Sequence, residues 1–262
     1  MLGVGEILVT TTMPSVLAAS AQLGSLKLGA SVHGYLIRLQ IILDVAAENS
    51  LVSMYAKCGC HKQCQHEFDM IQSKDIVSWN AMVAGYSQNG QIERAFHVFN
   101  KMRDACLRPD SITMSSLFKA SASLGTLHHG NCIHGFIIRN QLSSTVSVTT
   151  SIIDMYSKCG YLNYVQRCFN AMQEQDLVLW RAIIASYGNH GKGDIALRLY
   201  SDFLNTGIEP NHAIYFISPV AVMFIRAMSH KPNADVLGIL LDACRIHKNV
   251  SLGEEIAREI NH

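Results

Sequence analysis

The stretch IVSWNAMVAGYSQNGQIERAFHVFNKMRDACLRPD, from Ile76 to Asp110, carries the pattern from which most of this chain is built. Val77, Trp79, Met82, Val83 and Tyr86 stand at about three- and four-residue steps, which predicts an apolar stripe along a first helix. Asn89-Gly90 interrupts that helix. Ile92, Ala95, Phe96, Val98, Phe99 and Met102 predict a second stripe, and Pro109 closes the unit because proline cannot continue a helix. Neither short helix can cover its apolar face by itself, so the hairpin demands similar hairpins stacked against it.

The landmarks of this unit return 101 residues downstream: Trp79 recurs as Trp180, Pro109 as Pro210, and Tyr55-Ala-Lys-Cys-Gly59 as Tyr156-Ser-Lys-Cys-Gly160. His33-Gly34 likewise recurs as His134-Gly135. The period divides into three units. Thr10–Asp44, Ile76–Asp110, Ser111–Thr145 and Leu177–Asn211 are 35 residues long, whereas Val45–Asp75 and Val146–Asp176 are 31. In the shorter units Lys-Cys-Gly marks the turn between helices, glycine supplying the left-handed cap. Internal repetition at this length predicts an all-α solenoid of helical hairpins.

Outside the repeats the pattern weakens. Residues 1–9 offer little to read and are expected to be a remnant of an earlier unit or disordered. Residues 212–231 contain Ser218-Pro219 and no complete hairpin, so they are expected to be a degenerate junction. Order is expected to resume near Ala234: Val236, Leu237, Ile239, Leu240, Leu241 and Ala243 form one stripe, and Leu252, Ile256 and Ile260 a closing one. Glu254, Glu255, Arg258 and Glu259 give that last helix the polar outer face a solenoid cap needs.

Composition excludes several classes of function. With a net charge of +1 over 262 residues, the chain has no broad electrostatic grip on duplex DNA or an anionic membrane. The most apolar run, Ala213 to Ile225, is broken by Ser218-Pro219 and falls short of the roughly 20 residues a bilayer requires, so no membrane partner is expected. The N-terminus lacks the form of a signal or transit peptide; either targeting is absent or the chain begins inside a longer protein. Five of the eight cysteines lie in or beside predicted helices, which favours a reduced, intracellular setting over a disulfide framework. Cys58, Cys60, Cys64, His61 and His66 are zinc-ligand types. Cys58 nevertheless recurs as Cys159 beside Tyr161 and Val165, which favours a packed repeat position, so no metal and no cofactor are expected.

The alternating lengths, the phrases SLVSMYAKCG, SIIDMYSKCG and IVSWNAMVAGYSQNG, and the endings LRPD and IEPN resemble the plant pentatricopeptide-repeat family. The likeness is to its subclass with long, short and standard motifs. It covers residues 10–211 and implies a right-handed α-solenoid superhelix of six motifs. Residues 232–262, with ADVLGILLDACRIHKNVSLGEEIAREI, resemble the C-terminal extension motif of organellar RNA-editing factors. Between Asn211 and Met228 only fragments remain of two repeats that the family would carry, which suggests an incomplete gene product.

The resemblance implies a single-stranded RNA adaptor in mitochondrion or chloroplast, selecting cytidines for conversion to uridine. Zinc deaminases need His-x-Glu and Cys-x-x-Cys; neither occurs here, so the chain is expected not to be an enzyme. A deaminase-domain protein or editing cofactor would act in trans. In the family about one base is read per repeat, by the fifth and last residues of each motif. By position the pairs are Asn49 with Asp75, Asn80 with Asp110, Thr150 with Asp176, and Arg181 with Asn211. The first two imply uracil and the third guanine, while Arg181 departs from the code. The long motifs, Pro14 with Asp44 and Ser115 with Thr145, imply weak reading or spacing.

Simpler roles are open to the same residues. An Asp at a repeat junction is a natural helix N-cap. Trp79 and Trp180 fall on the apolar stripe and read as core; Lys57, Lys158, Arg38 and Arg139 read as solvated faces; His33 and His134 as packed residues facing turns. A tetratricopeptide-like protein scaffold is the alternative fold reading. Its units keep one period of 34 residues, however, unlike the 31 and 35 found here. A third reading is an inactive truncated product.

Overall fold

The computed structural model describes residues 4–140, 142, 145–208, 254 and 257; for residues 4–11 and 197 it describes the backbone alone. Residue Asn211, the junction 212–231 and most of the extension-like segment 232–262 lie outside the described residues. The chain divides into two compact units, Met1–Leu142 and Ser143–His262. Among the described residues the secondary structure is wholly helical.

In the first unit the helices are α1 (Val4–Gln22), α2 (Leu26–Arg38), α3 (Val45–Lys57), α4 (His61–Met70), α5 (Ile76–Gln88), α6 (Ile92–Asp104), α7 (Ser111–Leu124) and α8 (Leu127–Arg139). The second holds α9 (Val146–Lys158), α10 (Leu162–Asn170), α11 (Leu177–Asn189) and α12 (Gly193–Leu204). From α3 onward, the first helix of every hairpin starts on the residue at which the repeat pattern starts. The exception is α1, which begins at Val4, ahead of Thr10, and carries Pro14 inside it.

Stacking follows one rule in both units. First helices pack on first helices, α1 on α3, α3 on α5 and α5 on α7 in the first unit and α9 on α11 in the second. Each second helix closes its own hairpin, and α2, α4, α6 and α10 also pack on the first helix that follows. The repeat carries its packing with it. Trp79 meets Phe68 edge-on at 5.0 Å and Trp180 meets Phe169 at 4.7 Å between ring centres. The Tyr86 hydroxyl donates to Gln65 Oε1, and that of Tyr187 to Gln166 Oε1, both at 3.1 Å. Both indoles are core, as the stripe implies.

Two details depart from the stripes. Val77 is 54% exposed, although Trp79, Met82, Val83 and Tyr86 are buried. Two residues along a helix turn the side chain through about 200°, so Val77 cannot share a face with Trp79. In α2, Leu28 and Ile37 are exposed and only Leu36 and Gly29 are buried, so the stripe is narrower than its composition implies. Of the cysteine cluster, Cys64 is a packed residue: it is buried, with Sγ against Val52 O at 3.5 Å and Met82 Sδ at 3.3 Å, and burial pushes its thiol up to about 12.

Gly85 of α5 lies against Ala56 of α3, and a methyl group at Gly85 would run into the Ala56 Cβ. Gly85→Ala is expected to destabilise the protein by about 1–3 kcal/mol through overpacking. Gly34→Ala in α2 meets nothing within 4 Å and is expected to stabilise it by roughly 0.5–1 kcal/mol. Urea unfolding of the two variants checks the opposite signs. Cys106 stands at φ 59° in the turn after α6, where the sister unit has Gly207 at φ 76°. Cys106→Gly is expected to raise stability by up to about 1 kcal/mol, read as a shift in melting temperature.

Candidate nucleic-acid interface

Every junction residue named above and described in the structure is a helix N-cap. Asp44 Oδ1 accepts the Ala47 N–H at 2.8 Å, Asp75 that of Ser78 at 2.8 Å, Asp110 that of Thr113 at 2.9 Å, and Asp176 that of Leu179 at 3.0 Å. Thr145 Oγ1 takes the Val148 N–H at 3.4 Å. Each group answers one of the four unpaired N–H donors of a helix start. Capping is therefore real.

At two junctions it is not the only role. Asn49 Nδ2 donates to Asp75 Oδ1 at 3.1 Å, and Asn80 Nδ2 donates to Asp110 Oδ1 at 3.1 Å and Oδ2 at 3.0 Å. Fifth and last residues, 26 and 30 positions apart, thus form bonded pairs, because the last residue of one hairpin starts the first helix of the next. Both amides are largely buried, at 5% and 7% exposure, yet both line an open groove of about 510 Å³ over the row α1, α3, α5 and α7. Small side chains, among them Ala46, Ser50, Ala81 and Ala84, make its floor, and Lys57 supplies a cation.

The third pair behaves differently. Thr150 Oγ1 donates to the Val146 carbonyl of its own helix at 2.7 Å, and no bond joins it to Asp176. Threonine is shorter than asparagine, and its hydroxyl is satisfied one turn back. Arg181 is exposed on α11, and its partner Asn211 lies outside the described residues. Ser115 is buried with its hydroxyl unpartnered. Of the cations, Lys158 pairs with Asp154 at 2.9 Å, while Arg38 and Arg139 turn back to the carbonyls of Gly34 and Gly135. His33 is held between the Tyr55 hydroxyl at 2.9 Å and Glu67 at 3.7 Å, a packed role.

Sequence reasoning missed one set of residues. Val77, Ile112 and Val178, each second in its motif, are 54%, 60% and 41% exposed, and the first two flank the groove. Their signal was the two-residue offset from a buried residue of the stripe, Trp79, Met114 and Trp180 in turn, which the stripe reading passed over.

Burial opposes the charge on Asp75. The Ser78 N–H and hydroxyl, the Asn49 amide and the Val77 N–H outweigh it and hold the carboxyl below its usual range. A lowered acid contributes stability that is present above the ordinary carboxylate value near ~4 and is lost as pH falls through the folded value. Asp75→Asn is therefore expected to be less stable than the parent at pH 7, with the difference closing towards pH 2–3, as measured by urea unfolding at each pH.

A row of first helices with a polar pair at each junction and a trough across it defines a helical-hairpin repeat protein. Comparison with known proteins agrees. The model described as "PPR repeat family" matches residues 74–123, and that described as "PPR repeat" matches 147–177 and 178–208. The Arabidopsis thaliana protein "Pentatricopeptide repeat-containing protein At4g04370" is 38% identical over 99% of this chain, which covers 42% of that protein. "Pentatricopeptide repeat-containing protein At2g03380, mitochondrial", from the same plant, is 36% identical over 78% of this chain and 30% of its own length. The chain thus spans less than half of these relatives. Among solved structures, the pentatricopeptide repeat protein PPR10 in complex with an 18-nt psaJ RNA element overlays 97% of this chain and 38% of its own, with TM-score 0.66 and 16% identity. The chain belongs to the pentatricopeptide-repeat family, and its fold is that family's α-solenoid.

Proposed function

We propose that the chain is a sequence-selective adaptor for single-stranded RNA, bound along the groove of the first unit and read by the junction pairs. The observation that carries the reading is the pair of bonded amides, Asn49 with Asp75 and Asn80 with Asp110, recurring at one place in successive hairpins and lining one groove. The carboxylate holds each amide, and the amide's remaining donor and acceptor capacity meets the edge of a base. Val77 and Ile112 offer apolar walls to the faces of the same bases, and Lys57 offers a contact to phosphate. The RNA in the PPR10 complex supports this choice of ligand.

The finer reading is selection of cytidines for conversion to uridine in an organelle, with the deaminase supplied in trans. The motif lengths of 35 and 31 residues and the extension-like sequence at 232–262 support it. The chain carries neither zinc-deaminase pattern, so in this reading it selects a site and does not catalyse. Relatives named chloroplastic and mitochondrial support an organellar address. Thr150 with Asp176, which implies guanine, and Arg181 with Asn211, which departs from the code, belong to the same series.

An RNA carrying uracil, uracil, any base and guanine in motif order is expected to bind more tightly than its scrambled counterpart at matched salt. Each uracil replaced opposite Asn49 or Asn80 is expected to cost about 1 kcal/mol, close to fivefold in Kd. Fluorescence anisotropy measures both. Equal binding of the two strands sinks base reading, and no binding by either favours the protein-scaffold alternative.

A further inference from the structure

We infer that Thr113, on the helix after the junction, is a positioning residue that sets which base Asn80 accepts; the inference rests on the base-reading role proposed for Asn80. The Thr113 side chain is fully buried, with Oγ1 2.5 Å from Asn80 Oδ1. Two oxygens that close must share a proton, and of the two only the hydroxyl has one to give. The same Oγ1 accepts the Asp110 N–H at 3.3 Å and lies 3.0 Å from Asp110 Oδ1, and its one proton goes to the nearer oxygen, that of Asn80. Asp110 meanwhile holds the amide nitrogen through both carboxylate oxygens.

The amide of Asn80 is therefore pinned at both ends. Turning it over would set its carbonyl against the Asp110 carboxylate, losing both bonds there, and would force the Thr113 hydroxyl to turn its proton away from Asn80. The consequence concerns the base. Uracil presents an N–H flanked by carbonyls, whereas cytosine presents an amino group beside a ring acceptor. An amide free to turn over can answer either edge, and a pinned one cannot.

The preceding junction supplies a contrast within the same molecule. There Ser78 occupies the place of Thr113, and its hydroxyl lies 2.9 Å from Asp75 Oδ1 and accepts the Asp75 N–H at 3.2 Å. That hydroxyl makes no bond to Asn49, which is held at its nitrogen alone, and the buried Asn49 Oδ1 has no partner. Uracil-over-cytosine selection is thus steeper at the position read by Asn80 than at the one read by Asn49.

The test replaces Thr113 by Val, which keeps the shape and removes the hydroxyl, in the full chain. RNAs differing only in uracil or cytosine opposite Asn80 or opposite Asn49 give two discrimination ratios. Thr113→Val is expected to lower the Asn80 ratio about fivefold and leave the Asn49 ratio unchanged. In the RNA-free protein, the Asn80 side-chain amide resonances, assigned by their loss in Asn80→Asp, are expected to shift or broaden in Thr113→Val while those of Asn49 stay. A folded Thr113→Val with both ratios and both sets of resonances intact overturns the inference, as does an equal change at the two positions. If Thr113→Val does not fold, Thr113→Cys, whose thiol is a poor donor, serves in its place. A parent protein with no uracil preference at either position sinks the base-reading role instead, and the resonances then report whether Thr113 holds the amide.

Discussion

The structure depends on the close approach of one first helix to the next. Each hairpin has an apolar face that its own two helices cannot cover, and the row of first helices covers it hairpin by hairpin. Gly85 against Ala56 marks how near the backbones come in the first unit. That spacing brings the last residue of a hairpin, already bound to the next helix start, beside the fifth residue of the hairpin it ends. The packing of the row and the geometry of the Asn–Asp pairs are set by the same contact.

The junction carboxylate joins these two roles in one side chain. Asp75 and Asp110 each satisfy a helix start through Oδ1 and hold an asparagine from the helix before. A residue that caps a helix loses little freedom by also holding an amide, because its rotamer is already chosen. The amide is then presented to the groove in a prepared orientation, which lowers the ordering cost of meeting a ligand. Small floor residues and exposed Val77 and Ile112 complete a trough that is polar at the junctions and apolar between them.

Much of this was legible in the chain itself. The recurrence of Trp79 at Trp180 and of Lys57-Cys58-Gly59 at Lys158-Cys159-Gly160 set the period, the hairpins and the turns. The start of α3, α5, α7, α9 and α11 at the first residue of a motif follows from an Asp or Thr placed to cap it. The capping and pairing readings of Asp75 and Asp110 looked like rivals in the sequence, and the two are compatible because a carboxylate accepts several hydrogen bonds. Val77 was misread for a simple reason: an apolar residue two places from a buried tryptophan points the other way, towards the groove.

By itself, then, the sequence determined the period, the hairpin and the residues that begin each helix, since these depend on neighbours within a turn or two of the same chain. Tertiary structure alone decided that Asn80 is held by Thr113 as well as Asp110 and that Asn49 is held at one end only. Those outcomes turn on tenths of an ångström between side chains some thirty residues apart. Only the stacking of one hairpin on another brings such groups within reach.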